Sequence, residues 1–180
     1  MFGLKVDDEI TLRSLEPPHA DALFALIDAN RQYLRRRLPW LDTNVSVSDF
    51  RRFIQTTQKQ FADTAGFVAG IWYRGEITGV IGHNRIDWEN QISWPGYWLA
   101  EGLQGNGIMT KSCRALINHA FTELKLNRID IHCAVDNKKS QAIPQRLGFQ
   151  KACTLHQAEW LYDKYVDHII YRMLKSEWQS

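Results

Sequence analysis

The sequence predicts an α/β protein, a mixed β-sheet with helices on its faces. Segments whose apolar residues recur at helical spacing are interspersed with short segments rich in β-branched and aromatic residues. The 180-residue chain is also 44% apolar and contains seven tryptophans, which indicates a packed core. This length suits one domain over residues 1–180, and no repeat or linker divides it.

The N-terminal third predicts one strand and two helices. Residues 9–15 alternate between apolar and polar side chains, as a strand does. Pro17-Pro18 opens a helix that ends at Arg35-Arg36-Arg37, and Pro39 prevents it from continuing. A second helix begins in the capping cluster 46–49. We expect its apolar residues to be Phe50, Phe53, Ile54 and Phe61.

The middle of the chain predicts a hairpin and a third strand. Residues 66–73 and 77–86 are β-rich, and Arg74-Gly75-Glu76 between them predicts a tight turn. Residues 91–100 form the next strand. Because Pro95-Gly96 interrupts it, we expect a bulge or a splayed backbone at that dipeptide.

The C-terminal part predicts two further helices and three strands. A long helix over 108–124 precedes a cleanly alternating strand over 127–135. A short helix follows from about 136 to 147, and residues 151–161 and 166–174 complete the chain as extended segments.

Composition excludes several classes of function. A net charge of +2 offers no strong field for nucleic acid or a membrane surface. No apolar run approaches the roughly 20 residues of a membrane span, and the first residues lack a basic segment followed by an apolar signal core. Three widely spaced cysteines suit a reducing compartment, and six scattered histidines predict no metal site. We therefore expect a soluble cytoplasmic protein.

The stretch LQGNGIMTKS, residues 103–112, is the most informative motif. Its two glycines precede a helix, and such loops bind anions through backbone N–H groups. A dinucleotide fingerprint would need a third glycine where Thr110 stands, and a Walker A loop would need a glycine directly before Lys111. A third device fits: a splayed strand followed by Gln-x-x-Gly-x-small at a helix start binds the pyrophosphate of coenzyme A. Met109 departs from it, since many such loops have glycine or alanine there.

Several motifs in order extend this interpretation to the whole chain. GYWL (residues 96–99), QGNGIMT (104–110), DNKKS (136–140) and RLGF (146–149) together resemble the GNAT N-acetyltransferase superfamily. The set is similar to the branch that acetylates N-termini of ribosomal proteins. FTELKLNRIDIHCAVDN and QAEWLYDKYVDHIIYRML narrow the resemblance to enzymes acting on the N-terminal serine of the large-subunit stalk protein.

The resemblance implies a fold, a co-substrate and a set of binding residues. The fold is a central, mostly antiparallel twisted sheet, flanked by helices and splayed at the acetyl-CoA site. Acetyl-CoA is implied as co-substrate, with no metal, and a homodimer is suggested. The implied acetyl-CoA-binding residues are Trp98, Leu99, Ala100, Gln104, Gly105, Asn106, Gly107, Ile108, Met109, Thr110, Asn137 and Ser140.

Ser140 and Glu159 are the implied catalytic residues. Many family members have a tyrosine near the thiol in the short helix, and this helix has none, so Ser140 takes its place as donor to the leaving sulfur. The residues around it are also good helix N-caps, which is the competing explanation. Glu159, in the run AEWL, is the implied base, because a carboxylate among aromatic groups holds a proton more readily. It could equally be an exposed strand carboxylate, and Asp87 is a weaker second candidate for the base.

The sequence leaves three alternatives for the acceptor. The first is a ribosomal protein N-terminus; the second is a small amine such as a polyamine, aminoglycoside or amino acid. A third alternative is a non-catalytic module that binds coenzyme A. We interpret Cys133 as a packing residue, and we hypothesise that Arg35-Arg36-Arg37 attracts an acidic protein partner.

Overall fold

A computed structural model describes residues 2–179 as one eight-stranded sheet with four α-helices. The strands are β1 Gly3–Lys5, β2 Ile10–Ser14, β3 Phe67–Tyr73, β4 Glu76–Asp87, β5 Ile92–Leu99, β6 Arg128–Ala134, β7 Gln150–Leu161 and β8 Lys164–Leu174. The helices are α1 Ala20–Leu34, α2 Val47–Ala62, α3 Ile108–Thr122 and α4 Lys138–Arg146. The sheet order is β1-β2-β3-β4-β5-β6-β8-β7. Among residues 2–179, neighbouring strands are antiparallel except for β5 and β6, which confirms the predicted mixed, mostly antiparallel sheet.

The helices begin where the sequence supplies caps. Ser46 caps α2 and forms a reciprocal capping box with Asp49. Asn137 caps α4, its side chain accepting a hydrogen bond from the Ser140 N–H at 3.2 Å. The Pro17-Pro18 pair forms a short 3-10 turn, and α1 begins at Ala20 directly after it. Proline fixes a helical φ without needing a hydrogen-bonded N–H at this position.

Two apolar clusters cover the two faces of the sheet. Ile71 and Trp72 are neighbours on β3 and therefore point to opposite faces. Ile71 packs with the buried stripes of α3 and α4, and Trp72 packs with those of α1 and α2. Of the predicted apolar residues of α2, Phe50 and Ile54 are buried, Phe53 is half-buried, and Phe61, in the last turn, is 43% exposed.

The parallel pair β5–β6 separates soon after it begins. Pairing is limited to Ile92 with Arg128 and Ser93 with Ile129. The Gln91 carbonyl accepts hydrogen bonds from the β6 side, so the alternate residues after it face the same edge of β5. Pro95 is one of these residues, and because it has no N–H it cannot continue the pairing. The predicted splay thus begins at Pro95.

Two details of the sheet were not predicted from the sequence. The bulge lies on β4: Asn84 is the extra residue between the pairs His83–Pro95 and Arg85–Trp94, and its side chain occupies the space beside Gly96. The backbone nitrogen of Pro95 faces β6 and not β4. Its missing N–H therefore does not disturb the pairing of β5 with β4. The strand β1 was missed, since three residues give no alternation to detect.

No helix within residues 2–179 is long and apolar enough to cross a membrane.

Candidate active site

A cleft of about 1260 Å³ opens where β5 and β6 separate. It is bounded by β5, by the N-terminal ends of α3 and α4, and by the C-terminal end of α1. Of the twelve acetyl-CoA-binding residues expected from the sequence, ten line it. These are Trp98, Leu99, Gln104, Gly105, Gly107, Ile108, Met109, Thr110, Asn137 and Ser140.

The glycine loop presents the N-terminus of α3 to this cleft. Gly107 is the N-cap residue, with φ +75°, and Gly105 has φ +81°. Both angles lie in the left-handed region that glycine adopts without strain. Since Gly107 has no side chain to cap α3, the first-turn N–H groups are left for another acceptor. A phosphate group fits this arrangement, because the helix dipole also favours an anion there.

Two expected binding residues lie outside the cleft lining for identifiable reasons. Asn106 folds back on the loop, where its amide donates to the carbonyls of Leu103 and Gln104 at 3.1 and 3.3 Å. The Ala100 N–H donates to the Thr78 carbonyl at 2.9 Å, so this group is used within the sheet. By strand alternation, the backbone groups of Leu99 are those that face the open edge.

Gln104 bridges the cleft between α1 and α4. Its amide nitrogen donates to the Tyr33 hydroxyl at 2.6 Å, and its amide oxygen accepts from the Lys139 ammonium at 2.8 Å. Lys139 also lies 5.4 Å from the centre of the Tyr33 ring, a cation–π distance. The Gln104 side chain thus connects the glycine loop to α1 and to α4. The sequence motif had predicted that this side chain binds coenzyme A.

The inner end of the cleft holds a cluster of Tyr97, Cys133 and Ser140, which we call the inner cluster. The Ser140 hydroxyl lies 3.3 Å from the Cys133 sulfur and 3.5 Å from the Tyr97 hydroxyl. The Tyr97 hydroxyl donates to the Ser140 carbonyl at 3.1 Å. Burial raises the pKa of the Tyr97 phenol well above its usual value and also raises the pKa of the Cys133 thiol. Both groups therefore stay protonated at neutral pH, which is consistent with Cys133 packing as a thiol.

Glu159 lies on the edge strand β7, outside the cleft lining. It follows a register shift between Leu155 and Glu159, where the Asp167 carboxylate accepts from the Gln157 N–H at 2.8 Å. The Glu159 carboxylate lies 2.8 Å from the His168 ring nitrogen, and its side chain is 34% exposed. The aromatic enclosure expected from the sequence is not present, because the neighbouring Trp160 is 56% exposed.

Asp87 is the weaker candidate for the base. Its carboxylate accepts from the backbone N–H and the side chain of Asn90, and these hydrogen bonds lower its pKa. It therefore takes up a proton less readily than an ordinary carboxylate.

Basic side chains dominate the cleft rim. Six of them line it, against two acidic ones. The basic residues are Arg36, Arg37, Lys111, Lys138, Lys139 and Arg146, and the acidic residues are Glu101 and Asp136. This balance suits a ligand that carries several phosphates. Within residues 2–179, no group of three or more His, Cys, Asp or Glu side chains could hold a metal ion.

The arginine run at the end of α1 is partly committed to contacts within the chain. Arg35 pairs with Asp42 at 2.8 Å, and Arg37 pairs with Asp136 at 2.6 Å across the cleft mouth. The ion pair with Arg37 lowers the pKa of Asp136. Arg36 lines the cleft itself. A role in attracting an acidic protein stays a prediction, and Arg36 is the residue most able to serve it.

Sequence reasoning missed several cleft residues. Tyr97 was part of the quoted GYWL motif but received no role, since nothing in the sequence places its hydroxyl beside Ser140. Tyr33 and Arg146 lie on helical positions that could equally face solvent. Lys139 was quoted within DNKKS, and only the fold shows that it reaches the glycine loop.

Comparisons with known proteins agree with this geometry. The profile described as "Acetyltransferase (GNAT) domain" matches residues 9–150. The protein YdaF of Bacillus subtilis is 38% identical over 181 residues, covering 100% of this chain and 99% of that protein. The ribosomal-protein-serine acetyltransferase of Escherichia coli is 34% identical over 175 residues, covering 97% and 98%. A crystal structure of the microcin self-immunity acetyltransferase MccE with acetyl-CoA and AMP is similar at a TM-score of 0.92 and 34% identity, covering 96% of each chain.

Proposed function

The chain belongs to the GNAT acetyltransferase family and is an acetyl-CoA-dependent N-acetyltransferase, and we propose that its acceptor is the N-terminal α-amine of a ribosomal protein. The Escherichia coli relative supports this acceptor, because it is named a ribosomal-protein-serine acetyltransferase. Its sequence similarity extends over nearly the full length of both chains. We further propose that residues 1–180 form one domain. A ribosomal acceptor also favours the cytoplasm as the place of reaction. The family resemblance still suggests a homodimer.

The observation that carries the proposal is the cleft with Ser140 at its inner end and the glycine loop at its mouth. The pyrophosphate of acetyl-CoA would bind the N–H groups at the start of α3, between Gly105 and Thr110. The pantetheine arm would run along the open edge of β5, where Leu99 presents its backbone groups. The thioester would then lie near Ser140.

Acetyl transfer proceeds by direct attack in a ternary complex. The acceptor ammonium gives up one proton, its nitrogen forms a bond to the acetyl carbon, and the carbon–sulfur bond breaks. The nitrogen then gives up a second proton as the amide forms, and the thiolate takes up one proton to leave as a thiol. Overall the amide, the thiol and one proton are released.

Two residues would assist these proton movements. The Ser140 hydroxyl would donate to the sulfur as its negative charge develops. Glu159 would accept the proton of the amine through water, since its side chain lies outside the cleft lining. The hydrogen bond to His168 holds the Glu159 carboxylate in place for this role.

A second candidate function is acetylation of a small-molecule amine. The similarity to MccE favours it, because that structure contains AMP together with acetyl-CoA, at 34% identity to this chain. Both candidates share the acetyl-CoA site and differ in the acceptor.

Measurement of thiol release from acetyl-CoA with a panel of acceptors separates these functions. The panel holds a peptide with the N-terminal serine of the ribosomal stalk protein, the same peptide with a blocked N-terminus, a polyamine and an aminoglycoside. We expect turnover with the free peptide alone. We also expect Glu159→Gln to lower kcat by about 100-fold at pH 7, the lower end of what a positioned base contributes. Turnover with a small amine instead would contradict the ribosomal acceptor, and binding of acetyl-CoA without any turnover would contradict both.

A further inference from the structure

We propose that Tyr97 is a positioning residue that orients Ser140 toward the departing sulfur, and that Pro144 leaves the Ser140 carbonyl open for it. This inference rests on the proposed role of Ser140 in acetyl transfer. The family's usual tyrosine is missing from α4, yet the fold brings a tyrosine hydroxyl to the same helix from β5.

Pro144 deprives the Ser140 carbonyl of its helical hydrogen bond. It lies inside α4, four residues after Ser140, and is buried. In an α-helix the carbonyl of residue i accepts from the N–H of residue i+4. Proline has no N–H, and its ring also pushes against the carbonyl four residues earlier. The Ser140 carbonyl therefore lacks its regular helical partner.

Tyr97 supplies a replacement donor. Its hydroxyl donates to the Ser140 carbonyl at 3.1 Å, and this bond spans the opening between β5 and α4. A buried carbonyl without a partner is costly, so the bond ties the first turn of α4 to the sheet. Because β5 and β6 have already separated at this level, the strands themselves make no such connection here.

The same bond fixes the direction of the Tyr97 hydroxyl. With its proton on the Ser140 carbonyl, the phenol oxygen can only accept from the Ser140 hydroxyl, which lies 3.5 Å away. This distance is long for an O–H hydrogen bond, so the interaction is weak. The Ser140 hydroxyl is thus held beside Tyr97 but can turn to a developing thiolate, a stronger acceptor. Burial of Tyr97 keeps the phenol protonated through this change.

Tyr171 provides a matched control. It is a buried tyrosine of β8 that, like the half-buried Tyr97, ties α4 to the sheet. Its hydroxyl accepts from the Gln145 side chain at 3.0 Å and lies 3.5 Å from the Gln141 side chain. Neither glutamine lines the cleft, so Tyr171 supports α4 without contacting Ser140.

The test is a double-mutant cycle on kcat for thiol release, with Tyr97→Phe, Ser140→Ala and the double variant. We expect Tyr97→Phe to lower kcat by about 3- to 10-fold, as the loss of one hydrogen bond predicts, with KM for acetyl-CoA unchanged. In the Ser140→Ala background we expect no further loss, because the two residues act as one unit. Tyr171→Phe should lower the melting temperature and leave kcat unchanged.

A second arm tests the role of Pro144. Pro144→Ala restores an N–H at this position, so the Ser140 carbonyl regains a helical partner. We expect Tyr97→Phe to lower the melting temperature by several degrees in the parent chain and by clearly less in the Pro144→Ala background. An equal loss in both backgrounds would show that the carbonyl is not what Tyr97 satisfies, and would overturn the inference.

Three other kinetic results would overturn the proposed role of Tyr97. If Tyr97→Phe lowers kcat equally with and without the Ser140 hydroxyl, or raises KM for acetyl-CoA in both, its role is structural and the inference fails. If the parent enzyme turns over an acceptor but Tyr97→Phe has no effect, the inference alone fails. If the parent enzyme turns over none of the acceptors, the proposed function fails and the inference fails with it.

Discussion

Polar side chains at the inner end of the cleft and polar side chains in the core differ in their hydrogen bonding. In the inner cluster, Tyr97, Cys133 and Ser140 lie within hydrogen-bonding distance of one another. Elsewhere in the core, four residues have buried polar side-chain atoms with no hydrogen-bond partner among residues 2–179. We call these residues the core polar set: His83, Ser93, Ser112 and His119.

The two sets of polar groups have different consequences for the protein. A satisfied cluster holds each hydroxyl in a defined orientation, which is what catalysis needs. Unpartnered buried polar atoms cost free energy without fixing any orientation. We therefore expect loss of the Ser140 hydroxyl to change rate with little change in stability. Substitutions in the core polar set should change stability with little change in rate.

The largest effect is expected from a serine-to-alanine substitution, which we compare between the inner cluster and the core polar set. Ser140→Ala should lower kcat by about 100-fold, the order that a positioned proton donor contributes, with KM for acetyl-CoA nearly unchanged. Ser93→Ala should leave kcat unchanged and raise the free energy of unfolding by about 1 kcal/mol, since it removes an unsatisfied buried hydroxyl. Thiol-release kinetics and urea unfolding measure both. A similar loss of kcat in the two variants would remove the distinction.

An intermediate effect is expected at the mouth of the cleft. Gly107→Ala forces an L residue to φ +75°, at a cost of about 1–2 kcal/mol, so we expect KM for acetyl-CoA to rise by about 5- to 30-fold. Kcat should change little, because Ser140 is untouched. Gly102→Ala is the control: a Cβ there meets no atom within 4 Å, and its φ lies outside the left-handed region. Isothermal titration with coenzyme A would give the affinities, and an equal loss in both variants would contradict the loop's proposed role.

A further expected effect, which depends on pH, concerns the core polar set. Burial lowers the pKa of His83 from 6.5 to about 3. Between these values the unfolded chain binds a proton that the folded chain does not. The free energy of unfolding should therefore fall as pH decreases below 6.5, with a contribution from His83 of up to about 1.4 kcal/mol per pH unit.

His83→Phe should remove this part of the slope. The ring would face Phe67, whose centroid lies 5.1 Å from that of His83. Burial also lowers the pKa values of His119 and His132, so part of the acid sensitivity should remain. Urea unfolding between pH 7 and pH 4.5 measures the slope. An unchanged slope in the variant would show that His83 is not a source of the acid sensitivity.

Much of the architecture could be predicted from local sequence signals. Ser46 with Asp49, and Asn137, are capping residues whose chemistry fixes where helices begin. Arg74-Gly75 marks the hairpin turn, and Pro95 marks the level at which β5 leaves β6. The glycine loop was identifiable because two positive φ angles at a helix start leave a residue-type signature.

The sequence by itself therefore gave the order of elements from β2 onward, the glycine loop at the start of α3 and the family, since each depends on residues close together in the chain. The tertiary structure decided which distant side chains meet. Tyr97 and Ser140 are 43 positions apart, and Gln104 joins Tyr33 and Lys139 from separate helices. The surroundings of Glu159 also depended on packing, because an edge strand exposes the tryptophan that its sequence places beside the carboxylate. Such contacts follow from how the sheet splays and which helix covers it, and no local pattern encodes them.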